Sequence, residues 1–268
     1  IDNMATKGAN LGDYEGLRLS GAYDVDIISY RGVNVRYGIT VYIGDPGTST
    51  AYTSTQDRTR TGTGINIDSP YIDKADYGIR ILGDGNGSTH TDRKTNFMPV
   101  IITNPNITGN GDTVITSPWT VNVGILSNSA RGYSILGGNI RECYDGILTQ
   151  SGTGGAFTTP TDILIDDVNI NNIGRSGIHA TEMDDSKIVN CKIHTTNTSA
   201  ATPNAGLWIT DASENLIKEN IIGRVGDATR YAFYTTGTCA DNRVARNTIR
   251  DHAAGAFVLT AETDAIIY

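Results

Sequence analysis

Apolar residues along this chain fall into two short patterns that recur from one end to the other. The first is a pair of apolar residues five apart: Ile67 and Ile72, Ile102 and Ile107, Ile135 and Ile140, Ile165 and Ile170, Ile188 and Ile193. It continues as Leu216 and Ile221 and as Val244 and Ile249, with Ile28 and Val33 as a looser first copy. Asn stands just before the second member at Asn106, Asn139, Asn169 and Asn220. The second pattern is a small residue opening an alternating strand, as in Gly16-Leu17-Arg18-Leu19, Gly38-Ile39-Thr40-Val41 and Gly78-Ile79-Arg80-Ile81. It returns from Gly124, Gly146, Gly177, Gly206, Ala232 and Gly255. Strict alternation predicts strands, and no stretch of about 12 residues carries the apolar spacing of a helix.

Where nothing intervenes, one copy follows the last after 22 or 23 residues, as from Gly16 to Gly38 or Ala232 to Gly255. A unit that short cannot bury its own apolar face and must stack on its neighbours. A leucine-rich horseshoe needs Leu and a helical half, and a propeller blade needs about 40 residues. A coil of short strands joined by turns fits the length. The predicted fold is therefore all-β, a right-handed parallel β-helix of about eight complete coils, roughly 40 Å long at one strand spacing per coil. Asn beside a turn tolerates left-handed φ, which accounts for its recurrence at one phase. The whole chain reads as one domain, with coils from about residue 16 and insertions at 45–62, 83–98, 151–160 and 195–204. A chain opening at Ile1 and ending on an incomplete copy reads as a fragment of a longer protein.

This coil signature resembles the right-handed parallel β-helix of pectate-lyase-like proteins from about Gly16 to Val258. Bacteriophage tailspikes and polysaccharide depolymerases of that superfamily are similar in their Thr-, Asn- and Gly-rich inserts and lack of disulfides. The resemblance implies a homotrimer on a virion tail, outside the host cell, cleaving bacterial surface polysaccharide by hydrolysis or β-elimination. Catalytic residues differ between such lineages, so none is carried over.

A net charge of −8 without clustered Lys or Arg argues against nucleic acid as a partner. No apolar run approaches the roughly 18 residues of a membrane span. Cys143, Cys191 and Cys239 are 48 residues apart but fall at different phases of the repeat, and read as small buried apolar residues. No metal-ligand spacing links the histidines; His90, His194 and His252 read as turn or insertion residues, and no cofactor is implied.

Candidate chemistry comes from the alternation. With Ile178 and Ala180 inward, His179 points out, and the same register gives an outward file. It runs Arg18, Thr40, Arg80, Leu126, Leu148, His179, Trp208, Tyr234 and Phe257. Aromatic rings with a polar edge suit sugars, so Trp208 and Tyr234 are candidate substrate-binding residues, with Arg80 and Glu214 beside them. A covering loop or a neighbouring subunit is the competing explanation for such a file. Glu182, Asp184, Asp185, Asp211 and Glu214 crowd the ends of the same strands. Glu182 and Asp211 occupy equivalent phases one coil apart, within reach of the ~5–9.5 Å separations of glycosidase carboxyl pairs. Glu182, Asp211 and Asp184 are the candidate acid, base or nucleophile; solvated turn caps are the plainer reading. His179 is a candidate base for elimination from a uronic acid, with Arg80 or Arg175 neutralising the carboxylate. Two other functions remain open: a non-catalytic receptor-binding or adhesin shaft, and a secreted bacterial uronate lyase or epimerase.

Overall fold

Inward-facing Ile and Val stack on one another along the whole molecule, and that stack organises three parallel sheets. The computed structural model describes residues 15–20, 24–42, 64–82, 97–111, 122–151, 159–195, 204–225, 230–252, 255–259 and 266–267. The first sheet orders the strands Glu15–Ser20, Tyr37–Tyr42, Tyr77–Leu82, Val123–Asn128, Asp145–Gln150, Ser176–Thr181, Asn204–Thr210, Arg230–Thr236 and Gly255–Leu259. A second nine-stranded sheet runs from Val25–Ile28 to Ile266–Ile267, and a third of eight strands from Arg31–Val33 to Thr248–His252. The chain visits the three sheets in turn, and every pairing is parallel to the equivalent strand one coil away. Between the described strands this is a parallel β-helix.

The register shows why the apolar residues repeat. Ile39, Ile79, Ile125, Ile147, Ile178, Leu207 and Phe233 form one file with essentially no exposure. Ile67, Ile102, Ile135, Ile165, Ile188, Ile217 and Val244 form another on the second sheet. Each such burial is worth about 1.5–3 kcal/mol.

The spacing of five has a single cause. Two residues after each second-sheet member the backbone turns through a left-handed residue: Ser29, Ser69, Asn104, Gly137, Asp167, Asn190, Glu219 and Arg246. One such residue bends the chain into the third sheet and sets the next apolar side chain inward. Position, rather than Asn itself, is what repeats. Asn106, Asn139 and Asn169 instead open the third-sheet strands in register, where Asn169 Nδ2 donates to Asn139 Oδ1 at 3.0 Å. Asn220 sits elsewhere, inside the corner, with Nδ2 donating to Ile188 O at 2.9 Å and Oδ1 accepting from the Cys191 amide.

Three register expectations are corrected by one residue. Ile27 and Gly32, not Ile28 and Val33, align with Ile67 and Ile72, and Ile28 is 70% exposed. The buried pair in the later coil is Ile217 and Ile222, not Leu216 and Ile221. In each case two apolar residues are adjacent, and the corner geometry decides which one faces inward. Val258, not Phe257, aligns with Tyr234, and Phe257 pairs with Phe233.

The three cysteines are buried and form no disulfide, at three different corners of the coil. His194 and His252, expected in turns or insertions, belong to the strands Lys192–Thr195 and Thr248–His252, and His194 is exposed. The insertion expected at 45–62 lies outside the described residues, as does most of each of the other three; Phe97 and Asn204, at two of their ends, already belong to strands.

Candidate functional site

The outward face of the first sheet carries the predicted file. The register runs Arg18, Thr40, Arg80, Leu126, Leu148, His179, Trp208 and Tyr234, each one strand above the last. Outward does not mean open, however. Leu126 is 9%, Leu148 8% and His179 8% exposed, and the two leucines cluster with Val123 and Tyr77 apart from the main core. Trp208 and Tyr234 remain half-exposed. Arg80 lies four strands, or about 19 Å, down the axis from Trp208. Its guanidinium donates to Thr40 Oγ1 at 3.1 and 3.2 Å and rests 3.5 Å from the centre of the Tyr37 ring. It therefore does not share a site with the aromatic group.

Around Trp208 the structure assembles a set of rings. The His179 imidazole stacks on the indole at 3.9 Å and 8°. Tyr234 meets the indole edge-on at 6.2 Å, and Tyr231 stacks on Tyr234 at 5.2 Å. Under this group lies an ion pair. Arg175 grips both carboxylate oxygens of Asp145, which has no exposed surface. Burial pushes the Asp145 carboxyl up from its ordinary value, and the Arg175 fork and the Ser176 amide pull it back. The same guanidinium lies over the rings of Tyr144 and Trp208, at 4.9 and 5.3 Å.

Arg175 also fixes the state of His179. A guanidinium has no acceptor, so at 3.2 Å from Nδ1 it donates, and the imidazole proton sits on Nε2, 3.2 Å from Thr181 Oγ1. Burial, with the Arg175 charge beside it, pushes the His179 pKa down to about 3. Both ring nitrogens are engaged and the ring is neutral, which suits a structural platform better than the base role expected for it. In the unfolded chain this histidine titrates near 6.5. Its contribution to stability is thus complete above pH 6.5 and is lost as the pH falls from there to about 3. As the pH drops through that window the stability of the wild type should fall by up to about 1.4 kcal/mol per pH unit more than that of His179→Gln. Parallel pH profiles for the two proteins would contradict the assignment.

The acidic residues line the corner that leads from the first sheet to the second. Glu182 and Asp211 take the same left-handed position one coil apart; Glu182 N donates to Thr210 O and Asp211 N to Thr236 O, at 2.8 and 3.1 Å. Asp185 and Glu214 repeat this at a second left-handed position. Asp211 Oδ1 accepts the Thr238 amide at 2.7 Å, and Asp184 Oδ1 accepts the Ser213 amide at 2.7 Å. Each carboxylate thus caps the coil above it. Burial pushes the Asp184 carboxyl up from its ordinary value, opposed by the Ser213 amide and reinforced by Asp185 and Glu182. Glu214 is raised by its hydrogen bond and charge contact with Asp185. Among the described residues no group of three or more His, Cys, Asp or Glu side chains is placed to hold a metal ion.

Asp145 and Tyr231 are the residues that sequence reasoning missed. Both belong to the file of Tyr37, Tyr77, Val123, Asp145, Ser176, Ala205 and Tyr231, immediately before the small strand-opening residues. A carboxylate in that mostly uncharged company, one coil from Arg175, was the available signal.

The profile of the family described as "Right handed beta helix region" matches residues 58–267. No curated protein matches. Similar solved structures include the A-module of a mannuronan C-5 epimerase from Azotobacter vinelandii, with a TM-score of 0.45 and 11% identity. The similarity covers 88% of this chain and 63% of that module, so the chain spans less than two thirds of its length. An alginate lyase from Paenibacillus sp. gives 0.39 and 10%, over 90% of this chain and 99% of the lyase. A polygalacturonase from Erwinia carotovora gives 0.28 and 11%, over 92% and 76%.

Proposed function

The chain belongs to the right-handed beta helix family, and from that premise we propose that it binds an extended polysaccharide along the outward face of the first sheet and cleaves it at the acidic corner alongside. The observation that carries this reading is the convergence of Trp208, Tyr234 and Tyr231 with two acidic residues at equivalent corner positions, Glu182 and Asp211, on the same coils. Strands repeat about every 4.8 Å along the axis, so a polymer lying along the face meets similar groups at each step. Tyr and Trp rings contact the apolar faces of sugars while their polar edges reach the hydroxyls. Asp184, whose carboxyl holds its proton more firmly than an ordinary aspartate, is suited to protonate a leaving oxygen. Asp211, whose Oδ1 is held by the Thr238 amide, is positioned as the second carboxyl group of the pair, with Glu182 one coil away.

Glu182→Gln, Asp184→Asn and Asp211→Asn, assayed for reducing ends and for unsaturated products near 230 nm, test the catalytic part. Loss of general acid or base action is expected to slow release by about 10²–10⁴-fold in at least one variant. Unchanged rates in all three would remove the acidic corner from catalysis.

The capping of backbone amides by Asp184 and Asp211 favours a second reading, in which the carboxylates serve the fold and the face binds glycan without cutting it. Bound polysaccharide with no accumulating product would support that alternative. The finer form of the proposal is a homotrimeric tailspike-type depolymerase acting on bacterial surface glycan outside the cell. A monomer in sedimentation at micromolar concentration would count against it.

A further inference from the structure

We infer that Asp145, Arg175 and His179 form a buried clamp that sets the plane of Trp208, making them positioning residues for the aromatic face. The inference rests on the proposed function for its purpose, but not for its test.

The clamp spans three consecutive strands of the first sheet and the corner before the middle one. Asp145 begins a strand, Arg175 stands just before the next, His179 lies within that strand, and Trp208 lies one strand further. A carboxylate with no exposure on an outward face costs several kcal/mol unless it is paired and hydrogen-bonded. The two-point contact with Arg175 supplies the pairing and fixes the guanidinium plane. That plane holds Nδ1 of His179 at one end, and Thr181 holds Nε2 at the other. An imidazole tied at both nitrogens cannot rotate about its ring bond without losing both contacts. The indole is stacked flat on it at 8°. Among the described residues no hydrogen bond orients the indole instead: Trp208 Nε1 is buried and finds no acceptor there. Stacking on His179, with Arg175 and Tyr234 against the indole, is what fixes the ring. The network would be superfluous around a side chain that merely filled space.

The test reads Trp208 directly, in a Trp119→Phe background that leaves it the sole tryptophan. Arg175→Lys keeps a charge for Asp145 but cannot fork to His179. His179→Ala removes the stacked ring from the outer face while leaving the inward files intact. Both variants are expected to lose most of the Trp208 near-ultraviolet dichroism and to gain acrylamide quenching, with the far-ultraviolet strand signal unchanged. A Trp208 signal equal to the parent's in folded variants would overturn the clamp. If Arg175→Lys does not fold, His179→Ala and His179→Leu decide the matter by the same readout. No glycan is needed, so a parent that binds none would sink the functional reading and leave this result standing.

Discussion

Arg175→Ala is expected to destabilise the protein by about 3–5 kcal/mol, because it strands a fully buried carboxylate without its counter-charge. Asp145 has no exposed surface, and Arg175, its counter-charge, contacts both of its oxygens. The loss is compounded by the missing contacts to the Tyr144 and Trp208 rings and to His179. For a chain of this size such a change corresponds to a fall in melting temperature on the order of 10 °C. Replacing both charged partners with apolar residues should cost far less, since an isosteric apolar pair can match a buried ion pair. Denaturant midpoints for Arg175→Ala and for the double variant Asp145→Leu, Arg175→Met check this directly. Equal losses in the two would mean that the space, rather than the stranded charge, is what matters.

Gly146→Val is the second large effect. A Cβ at Gly146 would stand 2.5 Å from the Gly177 carbonyl oxygen and 2.6 Å from Ile170 Cγ2. One obstacle is backbone, shared with the strand above, so the coil itself has to move. The expected cost is about 3 kcal/mol or more, at the upper end for overpacked cores. At the same phase the backbone obstacle recedes toward the C-terminal coils, although the side-chain one does not: a Cβ at Gly206 would meet Ile222 Cγ2 at 2.4 Å but the Ala232 oxygen only at 2.9 Å, and Ala232 carries a methyl there naturally. Gly146→Ala should therefore cost more than Gly206→Ala in denaturant unfolding. The reverse order would show that close strand approach is not what keeps this file small.

That close approach explains why the fold was legible. A small residue every coil and an apolar pair five apart are both consequences of stacking, and stacking requires the same solution in each turn. What the pattern left ambiguous was local. Adjacent residues Leu216 and Ile217 satisfy the spacing equally well on paper, and Ile28 with Val33 satisfies it better than Ile27 with Gly32. The left-handed residues Ser29 and Glu219 settle which one faces the core, and neither is a residue type that announces that conformation. The aromatic file was legible for the same reason as the fold, since register follows from the repeat.

The chemistry around it was not. Alternation distinguishes inward from outward but says nothing about what covers an outward residue, so the burial of His179, Leu126 and Leu148 was invisible. Asp145 reads in sequence as one more acidic residue before a glycine. Only three-dimensional pairing with Arg175 turns it into a buried charge, and only that pairing makes His179 a neutral platform.

Crystals of the Glu182→Gln protein soaked with an oligosaccharide of at least four sugars would test the central claim most directly. The account predicts sugar rings in contact with Trp208 and Tyr234, with the chain running parallel to the coil axis past residue 182 and Asp211. An oligosaccharide seated on the second or third sheet, with the Trp208 face bare, would contradict it.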